Sequence, residues 1–282
     1  KSDIVFKIKD TASGAILNVS ADAFLPAAVV CEMPLSAPDE ALKAQAVAAY
    51  TFYTREKMYG GTDEADFTCN TENWLIYVKK EQLQDRWGED FDTYYNKIKR
   101  ITDEVMGEMV TENNEPICSS YFAISSGITE SSENVWGGQL NYLQAVASPG
   151  DQLSEGYLSK TVFTPAELQE KLSSQMPDSS FDFDLPYENW ISDQTLSKSG
   201  YTQTISICGE IIKGTKLRTV LSLPSTCFEY QYDGTYFIFE TKGKGHGVGM
   251  SQAGAIFMAQ NGSTYDEILA HYYPGTTLKK NG

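Results

Sequence analysis

The first stretches to show a period are "IVFKIKD" (4–10) and "AILNVS" (15–20). Both alternate apolar and polar residues, and "TASG" between them has the composition of a turn, so the spacing predicts a short β-hairpin. In "SAPDEALKAQAVAAY" (36–50) alanine stands at 41, 44, 46, 48 and 49, and a helix is expected from about Ala37 to Lys57. Ser36 is the expected cap, with Asp39 in the place of a capping-box acid and Pro38 suited to a first turn. So many alanines leave almost no polar face, which predicts a helix packed closely on several sides. Asp39 and Glu40 nevertheless stand at its head.

The polar run 79–105 reads as a surface helix broken near Gly88. "PICSSYFAISSG" (116–127) alternates like a strand that ends in a tight glycine loop, and 137–151 adds a short strand and a turn. Residues 152–200 are looser around a capped helix, "TPAELQEKLSS" (164–174), and read as an insertion or subdomain. Strands are expected near 201–207, 216–221, 226–232 and 235–241. Helices follow near 250–260 and 264–271, stopped by Asn261-Gly262 and by Pro274-Gly275. The fold class is α+β, a mixed domain with a central Ala-rich helix and a smaller inserted subdomain. The expected organisation is an N-terminal part over 1–150, the insertion over 151–200 and a C-terminal part over 201–282.

Composition narrows the function. The chain has 282 residues, 41% of them hydrophobic, and no apolar run long enough to span a membrane. It opens at Lys1, and a signal or anchor segment is expected to have preceded that residue. A formal net charge of -16 argues against nucleic acid and against an anionic membrane surface. It leaves simple solubility, or a neutral or cationic partner. The five cysteines form no C-x-x-C pair, and the histidines are His246 and His271. A disulfide framework and a structural zinc site therefore have little support.

No G-x-S-x-G elbow and no phosphate loop is present. "KGKGHGVGM" (242–250) has glycine at 243, 245, 247 and 249, a pattern that admits a ligand or another backbone at close range. His246 within it is either a brace for the loop or a ligand contact, and the two readings stand level. Among carboxylates, Asp39 reads as a helix-capping charge. Glu40 directly precedes a face that must be buried, which makes it a candidate acid if its setting favours the protonated form.

The motifs together resemble the stage II sporulation protein D family. "CEMPLSAPDEALKAQAVAAYTF" resembles its E-M-P and E-A-L-K-A-Q segment, and "SSYFAISSGITESSENVWGG" its S-G-G-x-T-E and D-V-W-G block. "GKGHGVGMSQAGA" and "ILAHYYPGTTL" resemble its later blocks, so the likeness runs from about residue 21 to 278 and is weakest over 152–200.

The resemblance implies an extracellular, membrane-anchored lytic transglycosylase that acts on peptidoglycan during sporulation, at engulfment. It implies as partners the glycan strands stripped of peptides, an amidase of the stage II sporulation protein P type and the membrane engulfment complex. No cofactor and no metal are expected. Glu40 matches the catalytic glutamate. Gln45, Tyr121, Ser125, Thr129, Trp136, His246, Ser251 and Gln252 lie in the matched blocks and are the expected substrate-binding residues, with Trp136 the most readily explained as plain core. Glu32, Glu130 and Glu133 are reserve carboxylates. The other reading is a non-catalytic glycan-binding module that activates an N-acetylmuramoyl-L-alanine amidase.

Departures from the family pattern qualify this. Tyr50 replaces the arginine of A-A-R-T, and Ile128 replaces the second glycine of S-G-G. Some members carry a zinc motif, D-x-C-D-x-x-H-C; "FTCNTENWL" (67–75) keeps only Cys69, with Asn73 and Trp74 at the histidine and second cysteine.

Overall fold

The computed structural model describes residues 3–280. The chain begins with β1 (Val5–Asp10), β2 (Ile16–Ser20), α1 (Ala21–Glu32), α2 (Asp39–Arg55), β3 (Phe67–Cys69), α3 (Lys80–Trp87) and α4 (Phe91–Glu104). It continues through β4 (Glu108–Glu112), β5 (Glu115–Pro116), β6 (Tyr121–Phe122), α5 (Ser132–Trp136), β7 (Leu158–Phe163), α6 (Pro165–Gln175), β8 (Ile191–Leu196), β9 (Thr202–Ile207) and β10 (Glu210–Lys213). The last elements are α7 (Gly214–Leu221), β11 (Phe228–Tyr232), β12 (Phe237–Lys242), β13 (Met250–Ser251), α8 (Gln252–Gln260), α9 (Tyr265–Tyr272) and β14 (Thr277–Lys280). This is a mixed α/β protein with several small sheets. It divides into two compact units, 1–120 with 255–282, and 121–254.

In the first unit β1 pairs with β2 as the expected hairpin and with β3 in parallel, while β14, β4 and β5 form an antiparallel sheet. Helix α2 packs against α1, α4, α9 and β4. Its alanines 41, 44, 46, 48 and 49 are buried, and their small side chains let neighbouring backbone come close. Thr51 on the same helix donates to the Val47 carbonyl at 2.7 Å and accepts from the Val110 amide at 3.0 Å, joining α2 to β4. Ser119 donates to the Ala48 carbonyl at 2.8 Å. An aromatic cluster of Phe6, Phe24, Tyr53 and Phe67 fills the space behind the hairpin.

In the second unit β8, β9 and β10 form one antiparallel sheet, and β7, β12 and β11 another. Their core gathers Phe163, Leu168, Leu172, Trp190, Ile205, Leu217, Phe237 and Phe239. Trp190 stacks on Phe237 with ring centres 5.5 Å apart and satisfies its indole N–H on the Leu185 carbonyl at 2.9 Å.

Several expectations change here. Helix α1 has no counterpart in the sequence reading, because Pro26 inside it and a nearly uniform apolar composition hide its period. Helix α2 starts at Asp39 with Pro38 as its N-cap and no side-chain cap bond, so Ser36 does not cap it. Residues 216–221 are helical rather than extended: in α7 the buried Leu217, Val220 and Leu221 follow a helical spacing. Only β6 is extended between Cys118 and Gly127, and over 137–151 the chain makes a turn and an isolated bridge from Ala147 to Ile128. The boundary expected at 200 falls between paired strands, since β8 pairs with β9 and β7 with β12. The two compact units join in sequence at 120/121 and at 254/255.

Candidate active site

Glu40 sits in the first turn of α2, in the first unit, with its side chain 32% exposed. One carboxylate oxygen accepts from the Lys43 ammonium at 2.9 Å and the other from the backbone N–H of Tyr265 at 2.8 Å. Tyr265 opens α9, so Glu40 takes one of the amide hydrogens that the start of a helix leaves unpaired. Lys43 also reaches Glu104 at 2.9 Å, and that bond, followed by the one to Glu40, holds its ammonium above the usual lysine range. Tyr265 donates to Glu108 at 2.9 Å; burial first, then Glu108, pushes its phenol up to about 12. The result is a half-buried carboxylate fixed at both oxygens on a rigid helix. Asp39, next to it, faces outward and is held below the usual carboxylate range by its hydrogen bond to Arg100 at 2.7 Å. Gln45, a turn further along α2, is fully buried, and so is Tyr50, the residue at the arginine position of the family pattern.

The other expected residues belong to the second unit. Strands β6 and β13 pair in parallel, Met250 with Tyr121 and Ser251 with Phe122, which brings Tyr121, Ser251 and Gln252 beside the loop 123–130. The glycine-rich segment crosses the same loop, with Lys244 bonded to both the N–H and the carbonyl of Ile124. Gly243, Gly245 and Gly247 all have positive φ, and a Cβ on them would stand 2.6 Å from the Ile124 carbonyl, 2.8 Å from Phe122 and 2.9 Å from the Tyr201 ring. The backbone of Ile124 and Ser125, the Phe122 side chain and the Tyr201 ring are thus what come close to these glycines.

Burial sorts the candidates. Ser125, Thr129 and Ser251 are fully buried and bound to protein: Ser125 accepts from Gly127 at 3.0 Å, Thr129 from Val146 at 2.9 Å and Ser251 from Gly254 at 3.2 Å. Trp136 is the reverse of plain core. It is 48% exposed at the end of α5, 5.4 Å from the His246 ring, whose other neighbour is Phe122 at 5.5 Å. His246 accepts from the Val248 amide at 3.1 Å, so it does brace its loop. Burial, then the charge of Arg218, lowers it to about 4, which keeps the ring neutral at neutral pH. Ile128 at the loop tip is exposed. Glu130, a reserve carboxylate, is buried and committed to Ser131 at 2.7 Å, Asn134 at 2.8 Å and the Ser197 hydroxyl, while Glu32 and Glu133 are not buried.

Two residues that the sequence reading passed over organise this unit. Asp151 is fully buried; it accepts from the Ser125 amide at 2.7 Å and from the hydroxyls of Ser125, Ser251 and Ser148. Burial raises its pKa against the pull of those hydrogen bonds. Tyr201 accepts from Ser126 at 3.2 Å and donates to the Ile128 carbonyl at 3.0 Å, while its ring supports Gly247. Burial pushes its phenol up to about 12. Neither has a local motif, and only the serines around them hint at a buried acceptor. Among the described residues no group of three or more His, Cys, Asp or Glu is placed to hold a metal ion.

Comparison with known proteins agrees with the motifs. The family profile described as "Stage II sporulation protein" matches residues 9–111. Stage II sporulation protein D of Bacillus subtilis (strain 168) is 36% identical over 99% of this chain and 80% of its own length. Its namesake in Bacillus amyloliquefaciens is 33% identical over the same shares. A protein named amidase enhancer, also from Bacillus subtilis, is 29% identical over 88% of this chain and 39% of its own length. With motifs, profile and relatives matched over 80% of their own length in agreement, the chain belongs to the stage II sporulation protein D family.

Proposed function

We propose that this protein is a peptidoglycan lytic transglycosylase that cleaves the MurNAc–GlcNAc bond of peptide-stripped glycan strands, with Glu40 as its single acid and base. The observation that carries this reading is the Glu40 carboxylate itself, part-exposed yet fixed at both oxygens by Lys43 and by the Tyr265 amide. An ordinary glycosidase needs a pair of carboxylates, and Glu130, the other acid in the matched blocks held by several protein donors, is buried where Glu40 is part-exposed. A transglycosylase needs one. Glu40 gives its proton to the glycosidic oxygen as the bond from that oxygen to C1 of MurNAc breaks. The 6-hydroxyl of the same MurNAc then closes on C1 and returns its proton to Glu40, leaving a 1,6-anhydro end, with no water consumed. In the second unit Trp136 supplies an exposed ring against which a sugar can stack, and Tyr121, His246, Gln252, Ser125, Thr129 and Ser251 shape or support that unit's surface; in the first unit Gln45 supports the helix that carries Glu40. The protein would work in sporulation on the outer face of the cell membrane, beside an amidase that removes the stem peptides.

Mass spectrometry of purified, peptide-free strands after incubation tests this. Ends one water lighter than hydrolysis products, lost in Glu40→Gln, are expected. Ends that carry the water would point to a hydrolase. The 29% identity to a protein named amidase enhancer supports a second reading, a glycan-binding module that stimulates an amidase. It requires strands that bind yet gain no new ends, and faster peptide release by an amidase added in trans.

A further inference from the structure

The first unit contains a cleft of about 480 Å³ that Glu40 does not line. Its walls come from the end of α1, the Met33–Ser36 segment, the loop before α3, and α3 and α4. Trp74, Trp87 and Tyr94 give it aromatic surface, and Arg86 and Lys97 are its charged groups. Among the described residues no carboxylate lines it, although the chain has 38 acidic residues against 22 basic ones. A volume within roughly 300–1,000 Å³, with aromatic walls and a few polar groups, is that of a small-ligand site.

The aromatic residues are held in place. Trp74 has a left-handed backbone, φ 54, in a side chain that gains nothing from it, and Ile76 nearby has φ 74. The Arg86 guanidinium lies 4.2 Å from the Trp74 ring, and Trp87 meets Tyr94 edge to face at 5.7 Å. Stacking uses the face of a guanidinium and leaves its N–H edge for a carboxylate. Among the described residues Arg86 has no ion-pair partner. Lys97 donates to the Leu35 carbonyl at 2.6 Å and stands 3.8 Å from Asp39, whose closer partner is Arg100 at 2.7 Å.

Aromatic faces take pyranose rings, and a stacked arginine with an open edge takes a carboxylate. We infer that this cleft is a second saccharide site, which holds a carboxylate-bearing amino sugar of the glycan strand away from the bond that is cut. The inference rests on the glycan substrate of the proposed function. It gives the strand a grip on the first unit beyond the Glu40 carboxylate, and it distinguishes MurNAc, with its lactyl carboxylate, from GlcNAc.

Fluorine NMR of the full chain labelled with 5-fluorotryptophan, in a Glu40→Gln background that leaves the strand uncut, tests it residue by residue. The peptide-free tetrasaccharide of alternating GlcNAc and MurNAc is the probe, and chitotetraose, which has no carboxylate, is the control. Saturable shifts of the Trp74 and Trp87 resonances are expected, about tenfold weaker for chitotetraose and about tenfold weaker in Arg86→Gln, a change at an exposed position. Trp74→Ala should abolish the Trp87 shift. The idea is overturned if neither resonance moves, if chitotetraose binds equally well, if Arg86→Gln binds as before, or if an acidic peptide moves them and the saccharide does not. The two readings fail separately. Loss of Glu40-dependent cleavage with these shifts intact would sink the enzymatic proposal alone, and absent shifts with cleavage intact would sink this one alone.

Discussion

The two units position polar groups by opposite means. In the first, Glu40 stands on a helix whose other side is alanine, and apolar contact with α1, α4 and α9 holds that helix. In the second, strands β6 and β13 have two residues each, and the loop between β6 and α5 is held by buried polar groups: Asp151 on Ser125, Tyr201 on Ser126 and Ile128, and Ser197 on the loop's own Glu130. Close packing tolerates little change of volume, whereas a buried polar network tolerates little change of bonding. The first arrangement suits one reactive group that must not move. The second suits a surface shaped by loops rather than by regular strands.

The sharpest division between the units is chemical. Glu40→Gln keeps an acceptor for the Tyr265 amide and removes the transferable proton. Glycan cleavage should fall by about 10²- to 10⁴-fold, and the melting transition should stay in place. Glu130→Gln should do the reverse, lowering the melting temperature while cleavage at saturating substrate persists. Equal losses of activity in both variants would break the contrast and reopen Glu130 as the acid.

Stability should separate the units next. Leu42→Ala opens a cavity in the fully buried side of α2 and should cost about 2–5 kcal/mol. Tyr201→Phe removes only a hydroxyl but leaves Ser126 and Ile128 without it, for about 1–3 kcal/mol. Glycines give a finer cut. At Gly243 a methyl would meet the Ile124 carbonyl at 2.6 Å, and alanine there should cost about 2–4 kcal/mol; at Gly14, where nothing lies within 4 Å, only the backbone penalty of about 1 kcal/mol is expected. Urea unfolding measures all four.

The pH dependence follows from Asp151 and His246. Burial raises Asp151, so between its unfolded value near 3.8 and its higher folded value the native state binds more protons, and its contribution to stability is lost as pH rises through the folded value. Asp151→Asn should flatten that part of the curve. His246 runs the other way. Its folded value of about 4 lies below the ordinary 6.5, so its contribution is full above 6.5 and is lost as pH falls toward 4. His246→Phe should remove the loss between those values. A His246 resonance that titrates near 6.5 would refute the neutral ring.

What the sequence made legible depends on whether a residue acts through a period or through a partner. The hairpin, the break at Gly88, and α6, α8 and α9 each carry a period with a local start or stop signal, and all are found. Helix α1 was hidden by Pro26, and α7 by β-branched residues that also suit a strand. Asp151 was invisible because, Ser148 apart, its partners are 26 residues away at Ser125 and further still at Ser251. Glu40 was legible through its motif, but its grip on Tyr265, 225 residues later, was not. Trp136 shows the limit most plainly: a tryptophan in a dense motif reads as core, and only the fold leaves it half in solvent.

The smallest effect compares a pair of sequences that look alike, "SAPD" (36–39) in the first unit and "TPAE" (164–167) in the second. Both offer a hydroxyl three residues ahead of an acid, with a proline between. In the second the signal is real: Thr164 accepts from the Glu167 amide at 3.2 Å and Glu167 answers to the Thr164 amide at 2.8 Å. In the first, Pro38 is the N-cap, the first turn of α2 bonds to its carbonyl at 3.0 and 3.1 Å, and Asp39 turns to Arg100. The proline decides it. One position after the hydroxyl, as in Pro165, it is the first helical residue; two positions after, as in Pro38, its ring and missing N–H move the start of the helix past the serine. Thr164→Ala should therefore cost about 1 kcal/mol and Ser36→Ala well under about 0.5 kcal/mol. Equal costs in urea unfolding would mean that Ser36 caps α2 in solution, and that the helix bearing Glu40 begins where its sequence first suggested.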